Sequence, residues 1–274
     1  MGLAKGVEAH RLSIVPEMGH VQVERSQGIV TVTLSNPAKR NAIPVGAWPE
    51  IEAAFREVAV RRDDRCVVLT GEGDDFSSGA DVTGAAADDV AHPLWLMRSI
   101  SAAIDALYAL PQPVVARVAG VCVGVGLNMA LACDLVVASD DARFSEIFVR
   151  RGLSIDGGGS WSLPRTVGLL KAKELALLGD IIPAAEAERI GLVSRVVPRP
   201  DLDATVAELA TRLAGGPPLA LSMTKRLLDN SDQLTLAQAL EAEAQAQIVN
   251  FGTRDTAEAM AAFVEGREPR FRGS

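Results

Sequence analysis

Two short apolar segments, each followed directly by a glycine-rich turn, restrict the possible folds of this sequence more than any other feature. These segments are residues 66–70 and 114–118, and each is preceded by a segment of helical periodicity, 45–61 and 94–110 respectively. Short apolar runs bounded by turn residues are typical of buried strands. Their alternation with helices predicts an α/β core with buried sheets.

The rest of the chain divides into a tail, a core and a helical C-terminal region. We predict a loose tail in residues 1–18, the α/β core in 19–200 and the helical region in 201–274. Further elements expected in the core are a hairpin of residues 20–25 and 29–34, helices 127–133, 168–179 and 184–190, and strands 135–138 and 192–197. The C-terminal helices are expected at residues 202–213, 217–228 and 234–263.

The last predicted helix carries an apolar stripe that is too broad for a solvated surface. The stripe consists of Leu236, Leu240, Ala244 and Ile248. An apolar face of this kind usually contacts another protein surface, so we expect the C-terminal region to contact a partner subunit.

Charge and composition exclude several classes of protein. The chain has 27 basic and 35 acidic residues, a formal charge of −8, so we expect it to bind neither nucleic acid nor an anionic membrane surface. No apolar stretch approaches the roughly 20 residues that span a bilayer, and residues 1–18 do not resemble a signal peptide, which predicts a cytoplasmic protein. The three cysteines form no C-x-x-C pair, so no metal site is expected.

Two turns could carry chemistry. Gly124-Val125-Gly126, within the turn 120–126, begins like a dinucleotide-binding motif, but the third glycine of that motif is absent. The same turn could present backbone N–H groups to an oxyanion, or could be purely structural. The second turn, Phe76-Ser77-Ser78-Gly79-Ala80-Asp81, is an ordinary turn when taken alone, with Asp81 as a candidate helix cap.

The order of these motifs is more specific than any one of them. F-x-x-G-A-D at residue 76, then P-V-V-A-x-V-x-G-x-x-x-G-x-G at residue 113, then C-D-L-V-V-A at residue 133 resembles the crotonase (enoyl-CoA hydratase/isomerase) superfamily. The resemblance extends over residues 21–263. It implies a crotonase-like spiral of ββα units, a homotrimer or homohexamer, and coenzyme A thioester substrates. It implies no separate cofactor, because coenzyme A is part of the substrate.

The resemblance also implies the residues of the site. The backbone N–H groups of Ala80 and Val125 correspond to the pair that polarises the thioester carbonyl, and neither donor requires a particular side chain. Further substrate-binding residues implied by the matching motifs are Lys39, Arg40, Ala42, Ser78, Asp81 and Gly124. The C-terminal Phe263 and Arg267 match a segment that reaches a neighbouring subunit's adenine site, although an ordinary basic tail would look the same.

The acid–base positions depart from the pattern of the hydratases. Their two glutamates correspond to Asn128 and Phe148 here, because the spacing from Phe144 to Gly152 matches without a gap. Glu146 lies two residues from the second position, and using it would break that register. An amide cannot exchange protons at neutral pH, so a two-carboxylate hydration mechanism is not expected.

Asp156 remains as the candidate acid–base group. The resemblance matches it to an aspartate of related double-bond isomerases, and one carboxylate can both remove and return a proton when water is excluded. Leu153, Ile155, Phe148 and Trp161 are the apolar residues expected to surround it and raise its pKa. The alternative is that Asp156 caps the helix after residues 157–159.

These observations predict an enoyl-CoA double-bond isomerase that uses Asp156, Ala80 and Val125. Two alternatives remain open at this point. The first is an atypical enoyl-CoA hydratase that lacks the glutamate pair, and the second is a non-catalytic acyl-CoA-binding subunit.

Overall fold

Two β-sheets organise the part of the chain that the computed structural model describes, residues 19–81 and 92–274. The predicted tail 1–18 and the end of the first glycine-rich turn lie outside these residues. The larger sheet contains, in spatial order, β1 (Val21–Ser26), β2 (Ile29–Leu34), β3 (Cys66–Gly71), β4 (Val114–Val118), β6 (Leu135–Ser139) and β9 (Arg195–Val197). The smaller sheet contains β5 (Val121–Val123), β7 (Arg143–Ser145) and β8 (Ile182–Pro183).

The strand pairing confirms a mostly parallel arrangement. The first two strands, β1 and β2, form the predicted antiparallel hairpin, and each later neighbour in the larger sheet is parallel. Successive units place one strand in each sheet and then a helix: β4 and β5 are followed by one helix, and β6 and β7 by another. This is the predicted spiral of ββα units.

Helices surround the two sheets. They are α1 (Trp48–Val60), α2 (Pro93–Tyr108), α3 (Val125–Leu131), α4 (Gly159–Val167), α5 (Leu169–Leu178), α6 (Ala184–Arg189), α7 (Leu202–Ala214), α8 (Pro218–Asp229), α9 (Leu236–Phe251) and α10 (Arg254–Glu265). Within these described residues, no helix combines the length and hydrophobicity needed to cross a bilayer.

The structure corrects three predicted elements. The single helix predicted at 234–263 is divided into α9 and α10, because Gly252 is a poor helix former and the Thr253 side chain caps the helix that follows. The turn 120–126 contains strand β5, which pairs with β7. The strand predicted at 192–197 begins only at Arg195.

Both faces of the larger sheet are covered. On one face, α1 and α2 contribute Phe55 and Leu107 to the main core. On the other face, Leu202 and Val206 of α7 pack against strand residues such as Val115. The predicted C-terminal region therefore shares its first helix with the core. The apolar stripe of α9 is exposed in the single chain, and its contact with a partner subunit stays a prediction.

The carboxyl ends of β3 and β4 bring the two predicted turns together. After β3 the chain runs alongside β5: Ser77 N–H donates to the carbonyl of Val121 at 2.9 Å, and Val123 N–H donates to the carbonyl of Ser77 at 3.0 Å. Because β3 and β4 are parallel neighbours, the segments that leave their carboxyl ends emerge at the same edge of the sheet.

Buried Asn41 anchors the first of these turns. Its Nδ2 donates to the carbonyls of Glu72 at 2.9 Å and Asp75 at 2.7 Å, and its Oδ1 accepts from the N–H of Asn36 at 3.0 Å. We expect Asn41→Ala to lower the free energy of unfolding by about 2 kcal/mol, because these bonds are lost inside the protein. Denaturant unfolding measures the effect.

The matched control for this prediction is Asn230→Ala. The Asn230 side chain is exposed, and its Nδ2 donates one hydrogen bond, to the carbonyl of Arg226 at the protein surface. Its replacement is expected to change the stability by less than about 0.5 kcal/mol. Equal effects of the two variants would show that Asn41 does not anchor the turn.

Candidate active site

A cavity of about 450 Å³ lies where the two turns meet. Nine predicted site residues line it, namely Lys39, Ala42, Ser78, Ala80, Asp81, Gly124, Val125, Phe148 and Asp156. The cavity is also lined by Gly79, Ile147, Arg151 and Leu153. The structure therefore gathers residues that are separated by more than 110 positions in the sequence.

The two predicted backbone donors lie on adjacent segments. A Cβ added to Gly79 would lie 3.8 Å from the backbone nitrogen of Val125 and 3.1 Å from the carbonyl oxygen of Val123. Gly79 has φ +90°, a conformation that favours glycine. Within the described residues, neither the Ala80 N–H nor the Val125 N–H donates to a backbone carbonyl outside the regular elements. Both residues line the cavity, and the donation of their two amides to one substrate oxygen stays a prediction.

Asp156 lines the same cavity and is not a helix cap. Helix α4 begins at Gly159, its cap residue is Gly158, and no side chain caps it. The Asp156 Oδ1 atom is buried and has no hydrogen-bond partner in the described part of the chain. Desolvation by burial raises the pKa of this carboxyl to about 6. At neutral pH most of the group is ionised, yet it is a stronger base than an ordinary aspartate.

Asn128 supports Asp156 from behind the cavity wall. The Asn128 side chain is buried, and its Nδ2 donates to the main-chain carbonyl of Asp156 at 2.8 Å. Phe148 is also buried, but it contributes to the cavity lining. The two positions where the resemblance implied glutamates therefore carry a positioning amide and an apolar wall.

Glu146 is a second acidic residue near Asn128, and the sequence analysis did not predict a role for it. It is 1% exposed, and neither carboxyl oxygen has a hydrogen-bond partner among residues 19–81 and 92–274. Burial raises the pKa of Glu146 to about 8, the nearby Asn128 amide partly opposes this increase, and the charge of Asp156 adds to it. As an acceptor, Glu146 receives no hydrogen bond from Asn128, because the Nδ2 of Asn128 donates to the Asp156 carbonyl instead. Glu146 does not line the cavity.

Only some of the residues that were predicted to contact coenzyme A line the cavity. Lys39 Nζ lies 2.6 Å from Asp81 Oδ2 at the cavity, and Ser78 Oγ donates to the carbonyl of Lys39 at 2.8 Å. Arg40 does not line the cavity, and it lies 3.9 Å from Asp75. The predicted cap role of Asp81 depends on the residues that follow it, 82–91, which lie outside the described residues.

Three predicted residues lie away from this cavity. Trp161 packs edge-to-face against Tyr108, with 5.3 Å between the ring centroids, and lines a different cavity, so it does not surround Asp156. Of the other predicted neighbours, Phe148 and Leu153 line the cavity with Asp156, whereas Ile155 does not. Phe263 is 86% exposed on α10, and Arg267 pairs with Glu258 and Glu265. The predicted contact of these last two residues with a neighbouring subunit stays a prediction.

The remaining titratable groups offer little other chemistry. Burial raises the pKa of the Cys66 thiol to about 12, and it raises those of Cys122 and Cys133 well above the usual range, so all three stay protonated. In the described ranges, no group of three or more His, Cys, Asp or Glu side chains is arranged to hold a metal ion.

Comparison with known proteins identifies the family. A family model described as Enoyl-CoA hydratase/isomerase matches residues 24–274. A Rhodobacter capsulatus protein named "Probable enoyl-CoA hydratase" is 36% identical over 255 residues, which are 92% of this chain and 98% of the relative. The 1,2-epoxyphenylacetyl-CoA isomerase of Escherichia coli is 32% identical over 262 residues, which are 93% and 98% of the two chains.

A solved structure agrees with these relatives. The crystal structure of a Streptomyces coelicolor protein assigned as an enoyl-CoA hydratase superimposes with a TM-score of 0.90, at 39% identity and over 100% of both chains. The spiral of ββα units thus defines a crotonase-fold protein. The chain belongs to the enoyl-CoA hydratase/isomerase family, whose enzymes act on acyl-CoA thioesters.

Proposed function

We propose that this protein is an enoyl-CoA double-bond isomerase in which Asp156 is the acid–base group. The observation that carries the proposal is that Asp156 lines one cavity together with Ala80 and Val125. Asp81, the other acidic residue of the described lining, is paired with Lys39. Asp156 is therefore the lining carboxyl that we assign to proton transfer.

The proposed reaction begins with the thioester carbonyl of a 3-enoyl-CoA between the two N–H groups. The Asp156 carboxylate removes a proton from C2, and the electron pair moves onto the thioester oxygen as a dienolate. Hydrogen bonds from Ala80 and Val125 stabilise that charge, and each donor of this kind contributes about 10²–10³-fold to the rate. Protonated Asp156 then delivers the proton to C4, and the double bond moves from C3–C4 to C2–C3.

The cavity wall suits a one-base reaction. Phe148, Val125 and Leu153 are apolar parts of the lining, so they limit the access of water to the carboxyl and the dienolate. No separate cofactor is needed, because the thioester itself stores the charge. We further propose that Lys39 and Arg40 interact with the phosphates of coenzyme A near the cavity mouth.

An atypical hydratase is the second candidate, because relatives such as the Rhodobacter capsulatus protein are named hydratases. In this reaction Asp156 would activate water for addition to a 2-enoyl-CoA without a second carboxylate in the cavity. Competing assays of 2-enoyl-CoA hydration and 3-enoyl-CoA isomerisation distinguish the two reactions.

The test of the proposed function is proton exchange in deuterated buffer across a panel of acyl-CoA thioesters. We expect deuterium to enter C2 and C4 of enoyl-CoA and isomerisation to exceed hydration. The rate is expected to increase as the pH rises through about 6, because the base form of Asp156 becomes populated.

Two results would contradict the isomerase assignment. Hydration without exchange at C4 would favour the hydratase. Tight acyl-CoA binding with neither turnover nor exchange at C2 would show a non-catalytic binding subunit, the third possibility predicted from the sequence.

A further inference from the structure

Three neighbouring polar side chains, one lining the cavity and two behind it, have buried hydrogen-bonding atoms without a partner among the described residues. The atoms without a partner in the described part of the chain are both carboxyl oxygens of Glu146, Oδ1 of Asn128 and Oδ1 of Asp156. Native proteins leave few buried polar atoms unpaired, so a cluster of them at one site points to a role. Only Asp156 is used by the proposed chemistry.

The fold places Glu146 beside the first turn of α3. The N–H of Gly124 donates to the carbonyl of Ser145 at 2.9 Å, so the chain leaving β7 passes the start of α3. Asn128 lies one turn further along that helix, where its N–H donates to the carbonyl of Gly124 at 3.1 Å. These backbone contacts bring residue 146 next to the start of α3, and the Asn128 amide influences the pKa of the Glu146 carboxyl.

Protonated Glu146 can supply the hydrogen-bond donor that Asn128 Oδ1 lacks. Its raised pKa makes Glu146 a neutral carboxylic acid at pH 7, which has one O–H donor. Asn128 Oδ1 is a buried acceptor without a donor, and Asn128 Nδ2 already donates to the Asp156 carbonyl. A donor on the Oδ1 side fixes which way the amide faces.

We propose that Glu146 is a positioning residue for Asp156: as a neutral acid it donates to Asn128 Oδ1, and the oriented amide holds the Asp156 main chain at the cavity. This inference rests on the proposed function of Asp156 as the acid–base group. Glu146 does not line the cavity, so it contacts neither the substrate nor the reacting atoms. It acts through Asn128.

Few other charged groups influence Glu146. The titratable groups coupled to it are Asp156 and the thiol of Cys122, which remains protonated because burial raises its pKa well above the usual range. On the neighbouring elements the charged side chains pair with one another near solvent: Arg150 with Asp180, and Lys171 with Glu174. The remaining charged neighbours, Arg151 and Lys173, are exposed.

The test compares Glu146→Gln, which stays neutral and keeps a donor, with Glu146→Leu, which has no donor. We expect Glu146→Leu to lower kcat for isomerisation by about 10- to 100-fold with little change in KM, because Asp156 is misplaced while the cavity lining is intact. Glu146→Gln is expected to keep the wild-type kcat at pH 7.

The pH profile separates positioning from a merely structural role. In the wild type, kcat is expected to fall as the pH rises through about 8, because ionised Glu146 no longer donates to Asn128. Glu146→Gln should lack this decline. A wild-type profile for both variants, or equal impairment of both at pH 7, would overturn the proposal. If Glu146→Leu does not fold, the alkaline behaviour of Glu146→Gln decides alone.

A measurement without turnover keeps this inference separate from the proposed function. The side-chain NH₂ signals of Asn128, followed by NMR in ¹⁵N-labelled protein, are expected to shift with a midpoint near pH 8 in the wild type and to stay constant in Glu146→Gln. Constant signals in both proteins would overturn the role of Glu146. If the Asn128 signals shift with a midpoint near pH 8 but the protein does not catalyse isomerisation, the proposed function is rejected while the interaction between Glu146 and Asn128 is supported.

Discussion

Asp156→Asn is expected to lower kcat for double-bond isomerisation by about 10²–10⁴-fold, the usual contribution of a general acid–base group. The amide preserves the shape of the side chain, and the contact from Asn128 to the main-chain carbonyl of residue 156 is unaffected. We therefore expect the fold and the dissociation constant for acyl-CoA to change little. Steady-state isomerisation, exchange at C2 and acyl-CoA titration measure these quantities.

Asp203→Asn is the matched control, because it makes the same chemical change at an exposed side chain that pairs with Arg117. Its kcat should equal that of the wild type. If Asp156→Asn retained full exchange at C2, another base would have to be found. If hydration persisted in Asp156→Ala, both roles assigned to Asp156 would be wrong.

Gly71→Ala is expected to lower the free energy of unfolding by about 3 kcal/mol, the upper part of the usual range for overpacking. A Cβ at this position would lie 2.2 Å from the carbonyl oxygens of both Asp75 and Phe76, and 2.6 Å from Nδ2 of Asn41. Two of these atoms belong to the backbone, so the turn that leads to Ala80 must move. The corresponding decrease in Tm is about 6–12 °C.

Gly46→Ala is the control for this substitution, because a Cβ at Gly46 would meet no atom within 4 Å. We expect its Tm to lie within about 2 °C of the wild type. The turn connected to Gly71 holds the Ala80 N–H, so Gly71→Ala should also lower kcat. Equal unfolding temperatures for the two variants would show that the turn adapts without strain.

The sequence predicted the fold well where the hydrophobic pattern is strong. The hairpin, α1 and the buried strands β3 and β4 have clear periodicity, and all are present close to the predicted bounds. The short strand β5 was not predicted, because three residues in a glycine-rich turn carry too little pattern. Its pairing with β7 depends on residues distant in the sequence.

For the candidate site, too, residues in local sequence motifs could be predicted, whereas contacts between distant segments could not. The order of the motifs and the family resemblance were sufficient to select Asp156, Ala80 and Val125, which the structure brings to one cavity, and their roles stay predictions. Glu146 was not selected, because the ungapped spacing from Phe144 to Gly152 assigns the second glutamate position to Phe148. Residues 147–151 form a 3₁₀ helix after β7, and Ile147 and Phe148 of this helix lie next to Gly124 at the start of α3, an arrangement that spacing along the sequence does not reveal. A signal was present in the sequence as an acidic residue inside an otherwise apolar segment.

The apolar wall around Asp156 has a stereochemical consequence. In the proposed mechanism one carboxyl reaches the substrate from one side of the cavity, so we expect both carbon atoms to exchange hydrogen on the same face of the acyl chain. A deuteron removed from C2 would then be returned to C4 of the same molecule before solvent replaces it. We therefore expect a suprafacial and partly intramolecular transfer, in which the fraction of deuterium retained depends on how well Phe148 excludes water.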